Sequence, residues 1–300
     1  MNNTTLLPAL MGQESSIRSA KQLVDYYEKA GPDYETWSRN FNMHFGYYEK
    51  GMNPFHREQM LQNMNEVVLQ TLHIDSNRPG SLVDMGCGLG ATLRHAARKH
   101  PFLTCSGVTI VPWQKMRADE LNVQCGLDTI RIHCEDYTAT SIASASVDHV
   151  VAIESSCYAS GKGKSDLLEE IHRVLKPGGT FVIADGFLKS RKKMPWLLKK
   201  AYAQLCKSWA LSELGLAEEV LGNLARLGFK DINARNVSWK VAPSVAHVPF
   251  TVVGFLLKRL LALDKMNKER WDNLVSPLLT MVLGSHQKFF GYYIISGKKS

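Results

Sequence analysis

The chain has 300 residues, 45% of them hydrophobic and 21% charged, a balance that suits one large α/β domain or two small ones. It excludes a disordered, collagenous or coiled-coil polypeptide. The formal charge of +8 favours anionic partners, whether ligands, nucleic acid or an acidic membrane surface, without choosing among them.

Helical patterns appear first, at about Glu14 to Ala30 and Pro54 to Leu72, joined by the aromatic-rich stretch Tyr34 to Tyr48. Met1 to Ser16 has no early Lys or Arg and no sustained apolar core, so no secretory signal is expected. Short apolar runs of the kind found in buried parallel strands then follow at Ser81 to Met85, Leu103 to Ile110, Ile130 to Cys134, Val147 to Ser155 and Thr180 to Ala184. Helix patterns separate them at about Gly90 to His100, Pro112 to Gln124 and Lys164 to Leu175. Lys176-Pro177-Gly178-Gly179 has the composition of a turn. Strands at about Asp231 to Val241 and Phe289 to Gly297 would complete a seven-stranded, mostly parallel sheet with helices on both faces. Pro243 to Gln287 is a long insertion before the last strand, of a kind that usually covers a site. The expected organisation is a lid segment over 1–75, a core over 76–242, a cap over 243–288 and the final core strand over 289–300.

Val248 to Leu263 is interrupted by Lys258 and Arg259 and falls short of a membrane span, so a cytoplasmic protein is expected. The six cysteines form no CxxC pair; neither a disulfide framework nor a metal site is expected.

The segment Val83-Asp84-Met85-Gly86-Cys87-Gly88-Leu89-Gly90-Ala91 stands where the first strand hands over to a helix. Glycines there let a backbone approach a ligand closely, beside the unpaired N–H groups of a helix N-terminus. The run also fits the dinucleotide pattern G-x-G-x-x-G/A. Two features favour a cationic ligand over a pyrophosphate: Asp84 puts a carboxylate beside the loop, and the second strand ends in Gly107-Val108-Thr109-Ile110, without the acidic residue that a nicotinamide cofactor's ribose requires.

Asp84 to Gly90, Gly107 to Gln114, Cys134 to Tyr137 and Leu175 to Gly179, in this order, resemble a class I S-adenosylmethionine-dependent methyltransferase over about residues 78–187. The resemblance implies a Rossmann-like fold and S-adenosyl-L-methionine as cofactor. It places the cofactor's methionine moiety on Gly86, Gly88 and Gly90, with Asp84, and its adenine side near Asp136 or Glu135. Thr109 stands where such families usually carry an acidic ribose ligand. The run from Gly107 to Gln114 resembles the G-[IV]-T-x-x-x-x-Q form of small-molecule subfamilies acting on sterols, tocopherols, lipid double bonds and isoprenoids, which implies a cofactor contact for Gln114. Related enzymes carry an aromatic N-terminal segment near the cofactor, which implies the same for Tyr47. From the residues alone, Asp136 and Glu135 read equally as turn caps and Gln114 as an exposed helix residue.

Residues just after the fourth and fifth strands should face the transferred group. Glu154 and Tyr158 supply a carboxyl and an aromatic face suited to a developing carbocation, and Glu154 also borders the cofactor side. His44, His247 and His286 are alternative bases for an oxygen or nitrogen acceptor. The basic run Lys189, Arg191, Lys192, Lys193, Lys199 and Lys200 reads either as a holder of phosphate or diphosphate or as a solvated face. Val245 to Leu263 reads as the wall of a greasy acceptor tunnel, as a membrane contact, or as an ordinary cap helix.

The expected function is methyl transfer to a small, largely apolar acceptor, with carbon methylation of an isoprenoid, a prenyl diphosphate among the options, preferred over O- or N-methylation of an aromatic natural product. A nucleic-acid enzyme is disfavoured because Glu154-Ser155-Ser156-Cys157 replaces the N/D-P-P-Y-type tetrad, and a cyclase keeping the fold is a further class.

Overall fold

The structure, a computed structural model, describes residues 20–29, 31, 37–261 and 268–300; within the last helices the side chains at 255, 256, 258–261 and 268–275 are excluded. Of the expected first helix, 20–29 is helical; Tyr34 and the start of that pattern lie outside the described residues.

Helix α1 (Arg57–Thr71) precedes β1 (Gly80–Met85), α2 (Ala91–Lys99), β2 (Leu103–Thr109), α3 (Pro112–Gln124) and β3 (Arg131–Cys134). Then come β4 (Val147–Ile153), α4 (Ser165–Val174), β5 (Leu175–Leu188), α5 (Trp196–Ser208), α6 (Ala217–Arg226) and β6 (Lys230–Asn236). The chain ends with α7 (Ser238–Val245), α8 (Val248–Leu261), α9 (Lys268–Ser285) and β7 (Phe290–Lys298). The sheet order is β3-β2-β1-β4-β5-β7-β6, with β1 to β5 parallel and β7 antiparallel to both its neighbours. This is the expected seven-stranded Rossmann-like sheet.

Strand periodicity fills both faces. Leu82, Val151 and Val182 face one core with Met64 and Leu69 of α1, while their neighbours Val83, Val150 and Ile183 face the other with Leu167 and Ile171 of α4. Each fully buried aliphatic side chain of this kind contributes roughly 1.5–3 kcal/mol. Because successive residues serve opposite faces, the middle of each central strand is apolar on both sides, as in Leu82-Val83 and Val150-Val151-Ala152-Ile153, which is why these strands read as short apolar runs.

Three expectations need correction. The turn at Lys176 to Gly179 is a bulge inside one long strand: Val147 pairs with Leu175 and His149 with Thr180, so the four residues bow out, with Gly178 at φ +80°. The strand expected over Asp231 to Val241 stops at Asn236, whose Oδ1 accepts hydrogen bonds from the backbone N–H and hydroxyl of Ser238 and so starts α7 instead. Helices α5 and α6 occupy a stretch for which no helix was expected.

The strand order reverses between β1 and β4. The crevice beyond their carboxyl ends is where an open α/β sheet holds its ligand.

Candidate active site

At the end of β1 the N–H groups of Gly86 and Cys87 both donate to the carbonyl of Val108, at 2.9 and 3.0 Å, pinning the loop against β2. The chain then needs left-handed backbone at Gly86, Gly88 and Gly90 (φ +93°, +52° and +75°). A Cβ at Gly86 would stand 2.4 Å from that of Ser155, whose hydroxyl ties the loop after β4 to the Met85 carbonyl at 2.5 Å. At Gly88 a Cβ would stand 2.9 Å from Met43 Sδ, so a strip of bare backbone faces the space covered by the N-terminal segment.

That space is a cavity of about 280 Å³ lined by Asp84, Gly86, Gly88, Thr109, Gln114 and Asp136, among others. The Asp84 side chain is buried and accepts no hydrogen bond among the described residues; burial alone pushes its pKa up to about 7. A buried carboxyl without a partner at the rim of a cradle is suited to a cationic group. The Thr109 hydroxyl donates to Gln114 Oε1 at 2.7 Å and accepts the Val111 N–H, so Thr109 fixes the orientation of the buried Gln114 amide. Asp136 lies at the rim, its Oδ1 capped by the N–H and hydroxyl of Thr138.

A second, larger cavity of about 540 Å³ lies beside the first, walled by apolar side chains of α5, α7, α8, α9 and β7, including Leu205, Val241, Val252, Met281 and Phe290. Both charged groups in its described lining are carboxyls, Glu154 and Asp185. Asp185 is fully engaged: it accepts from the Ser156 hydroxyl (2.6 Å) and from the N–H groups of Cys157 (2.9 Å) and Gly186 (2.7 Å). Its burial still pushes the pKa upward.

The two cavities share Tyr27, Met43, His44, Glu154 and Tyr158. At this junction Glu154 adopts a left-handed backbone at φ +49°, unusual for a residue with a Cβ. Its Oε1 accepts the Phe45 N–H at 2.7 Å and the Tyr292 hydroxyl at 2.8 Å, while Oε2 has no partner among the described residues. Burial pushes its pKa up to about 8, so the carboxyl can hold or accept a proton near neutral pH. Tyr158 places its hydroxyl 3.0 Å from that of Tyr27.

His44 is buried with Nε2 3.1 Å from Asn65 Oδ1 and Nδ1 2.9 Å from the Phe45 carbonyl. Asn65 Nδ2 donates to Asn42 and its Oδ1 accepts from the Thr92 hydroxyl, which fixes Oδ1 as the atom facing His44. Both ring nitrogens therefore face acceptors, and burial lowers the imidazole pKa. This arrangement positions the segment around His44 rather than offering a free basic nitrogen.

Other expected site residues lie elsewhere. Glu135 is absent from the lining of the cavity and binds the N–H and hydroxyl of Ser141, which hold its pKa down. Gly90 is the N-cap of α2 and is absent from the cavity lining. Tyr47 is buried in the core: Gly46 passes so close to α1 that a Cβ there would touch Met60 at 2.5 Å, and Tyr47 pairs its N–H with the Met60 carbonyl, leaving Met43, His44 and Phe45 to line the cavities. His247 binds the Pro54 carbonyl, His286 binds Val282 at the surface, and neither is in the lining.

Sequence reasoning missed Tyr292, Tyr27 and Met43, and passed over the role of Asp185. A carboxyl at the end of a central strand was a usable signal for Asp185; Tyr292 reaches Glu154 only through the antiparallel pairing of Gly186 with Tyr292.

Residues 83–183 match the family model described as a methyltransferase domain. Over 173 residues, 56% of the chain, it is 31% identical to 24-methylenesterol C-methyltransferase 2 of Oryza sativa subsp. japonica, 45% of whose length is covered. Over 171 residues, again 56% of the chain, it is 30% identical to the 2-methyl-6-phytyl-1,4-hydroquinone methyltransferase of Synechocystis sp., with 52% of that protein covered. The chain thus spans about half the length of the curated relatives it matches. In three dimensions it is similar to the geranyl diphosphate C-methyltransferase of Streptomyces coelicolor, with a TM-score of 0.72 at 16% identity, covering 94% of this chain and 98% of that one.

Proposed function

We propose that the protein transfers a methyl group from S-adenosyl-L-methionine to a carbon of a small, largely apolar acceptor, an isoprenoid or similar lipid-like alkene. The observation that carries this reading is the meeting of two unlike cavities at Glu154: a polar one with a bare-backbone cradle and a buried carboxyl that has no partner among the described residues, and a larger apolar one.

The residues present fit the cofactor. Gly86 and Gly88 would take its methionine portion, Asp84 its positive charge, and Gln114, with Asp136 at the rim, its nucleoside. Bound there, the cofactor supplies an electrophilic methyl group on a sulfonium sulfur. The chain's own contribution is to orient the acceptor, exclude water through the 43–45 segment and the cap helices, and manage a proton. When an alkene carbon is methylated, positive charge develops on the acceptor; the Glu154 carboxylate stabilises it and Oε2 accepts the proton lost as the double bond re-forms. The Tyr158 ring adds an aromatic face beside that charge.

The carboxyl-lined, apolar wall favours an acceptor without a diphosphate. The same two carboxyls also support a second reading, N-methylation of an apolar amine, in which Glu154 takes the ammonium proton before attack.

Incubation of cell extracts and a panel of prenyl alcohols, prenyl diphosphates, quinols and apolar amines with methyl-deuterated cofactor tests this reading. Products heavier by about 17 Da are expected from a neutral isoprenoid, since a CD3 group replaces hydrogen. Labelling of amines alone would establish the second reading, and labelling of none would remove the enzymatic one.

A further inference from the structure

The basic run does not serve the acceptor cavity. None of its residues is in the cavity lining, and each of them is exposed. Between Asp185 and Glu213 the sequence has no acidic residue, yet it contains Lys189, Arg191, Lys192, Lys193, Lys199 and Lys200. Arg191 pairs with Glu213 and Glu219, whereas Lys192, Lys193, Lys199 and Lys200 form no ion pair among the described residues.

In the middle of these cations, the first turn of α5 exposes Trp196 (70%) and Leu197 (64%) to solvent. Helical spacing puts Lys200 on the same side as both, four residues from Trp196 and three from Leu197. The opposite face of α5 is spoken for: Leu198 and Leu205 are buried, and Leu205 lines the acceptor cavity. The outer face therefore combines large apolar side chains with unpaired ammonium groups, at a helix N-terminus where the backbone dipole already disfavours cations.

We propose that this face, Lys192 to Lys200, docks on an anionic lipid surface, with Trp196 and Leu197 entering the headgroup boundary and the lysines pairing with lipid phosphates and carboxylates. Charge complementarity selects the occupant. A protein groove would satisfy the apolar pair but not so many unpaired cations, and a nucleic acid would satisfy the cations but leave an exposed Trp–Leu pair in water. Docking here brings the helix that walls the apolar cavity to the membrane. The inference goes beyond the proposed reaction and does not depend on it.

The test is co-sedimentation of the full chain with vesicles of phosphatidylcholine alone and of phosphatidylcholine with about one-third phosphatidylserine, at low salt and at about 0.5 M salt. The protein is expected to partition onto the anionic vesicles and to be released by salt. Replacing Lys192→Gln with Lys193→Gln should weaken partition about thirty-fold, from roughly 1 kcal/mol per lysine near the surface. Trp196→Ala with Leu197→Ala should weaken it also, at an unchanged melting temperature because both side chains are exposed. Absence of partition onto anionic vesicles, equal partition onto neutral ones, or partition unaffected by either double variant would overturn the proposal, as would retention on duplex DNA without vesicle binding.

Discussion

Asp84 is worse placed for the empty protein than for the loaded one. Its pKa rises from 3.8 to about 7 on folding, so the folded state holds the proton more tightly than the unfolded chain. The cost of ionising it in the empty protein is absent below pH 4, grows as pH rises, and reaches on the order of 4 kcal/mol above pH 7. Asp84→Asn removes that cost, so the ligand-free variant is expected to gain melting temperature over wild type at pH 8 and little at pH 4.5, while losing at least about tenfold in cofactor affinity. Thermal scans at the two pH values and a binding titration check both signs. Glu154 follows the same logic with a different consequence. Its carboxylate form, populated as pH rises through about 8, is the proton acceptor, so turnover should climb across that range. Glu154→Gln is expected to lower kcat by about a hundredfold or more and flatten the pH profile, with little change in cofactor affinity; equal losses in both constants would move Glu154 to a binding role. Asp84 and the glycines were legible because a strand-to-helix turn concentrates its chemistry in adjacent positions. The pairing of Glu154 with Tyr292, 138 residues away, has no local trace.

Among the elements, a buried lysine adds to the ties of the loop after β4 already made through Ser155 and Asp185. Lys164, just before α4, is only 4% exposed, and its ammonium donates to the carbonyls of Cys157 (2.8 Å), Ala159 (3.0 Å) and Glu213 (2.8 Å). It thereby joins the loop carrying Tyr158 to the segment whose Leu211 and Leu214 wall the acceptor cavity. Burial lowers its pKa, but three carbonyl acceptors use all three of its protons. Lys164→Met should leave those carbonyls unsatisfied, cost about 3 kcal/mol and lower the melting temperature by about 5 °C. An unchanged melting curve would show that water replaces the ammonium without loss. The parallel strands were legible because both their faces are buried. The edge strand β6 was overextended, since the alternation continues past Asn236 and only the hydrogen bonds from Ser238 to its side chain show where the strand gives way. At Lys176 to Gly179 the composition did mark a change of direction, but pairing on both sides absorbed it into β5.

At the scale of the molecule, the sheet supplies a polar cradle at the β1–β4 crevice, and the chain outside the sheet supplies almost everything else. The 37–46 segment and 20–29 close over the cradle, α5 and α7 to α9 enclose the apolar cavity, and β7 brings Tyr292 to the junction. The sequence announced the sheet and the cradle; the cavity was foreseen only as a greasy stretch at Val245 to Leu263, because its wall is assembled from distant elements. The charge excess, too, includes the exposed basic run, whereas the charged groups in the described lining of the acceptor cavity are both carboxyls. Everything functional here depends on the cradle taking a cationic sulfur nucleoside. Calorimetric titration of the protein with S-adenosyl-L-methionine and, separately, with NAD, each at pH 6 and pH 8, examines that directly. Binding of the sulfonium compound is expected at pH 8 and about tenfold weaker at pH 6, as Asp84 takes up its proton, with no heat from NAD. Binding of NAD without S-adenosyl-L-methionine, or sulfonium affinity that strengthens as the pH falls, would overturn it.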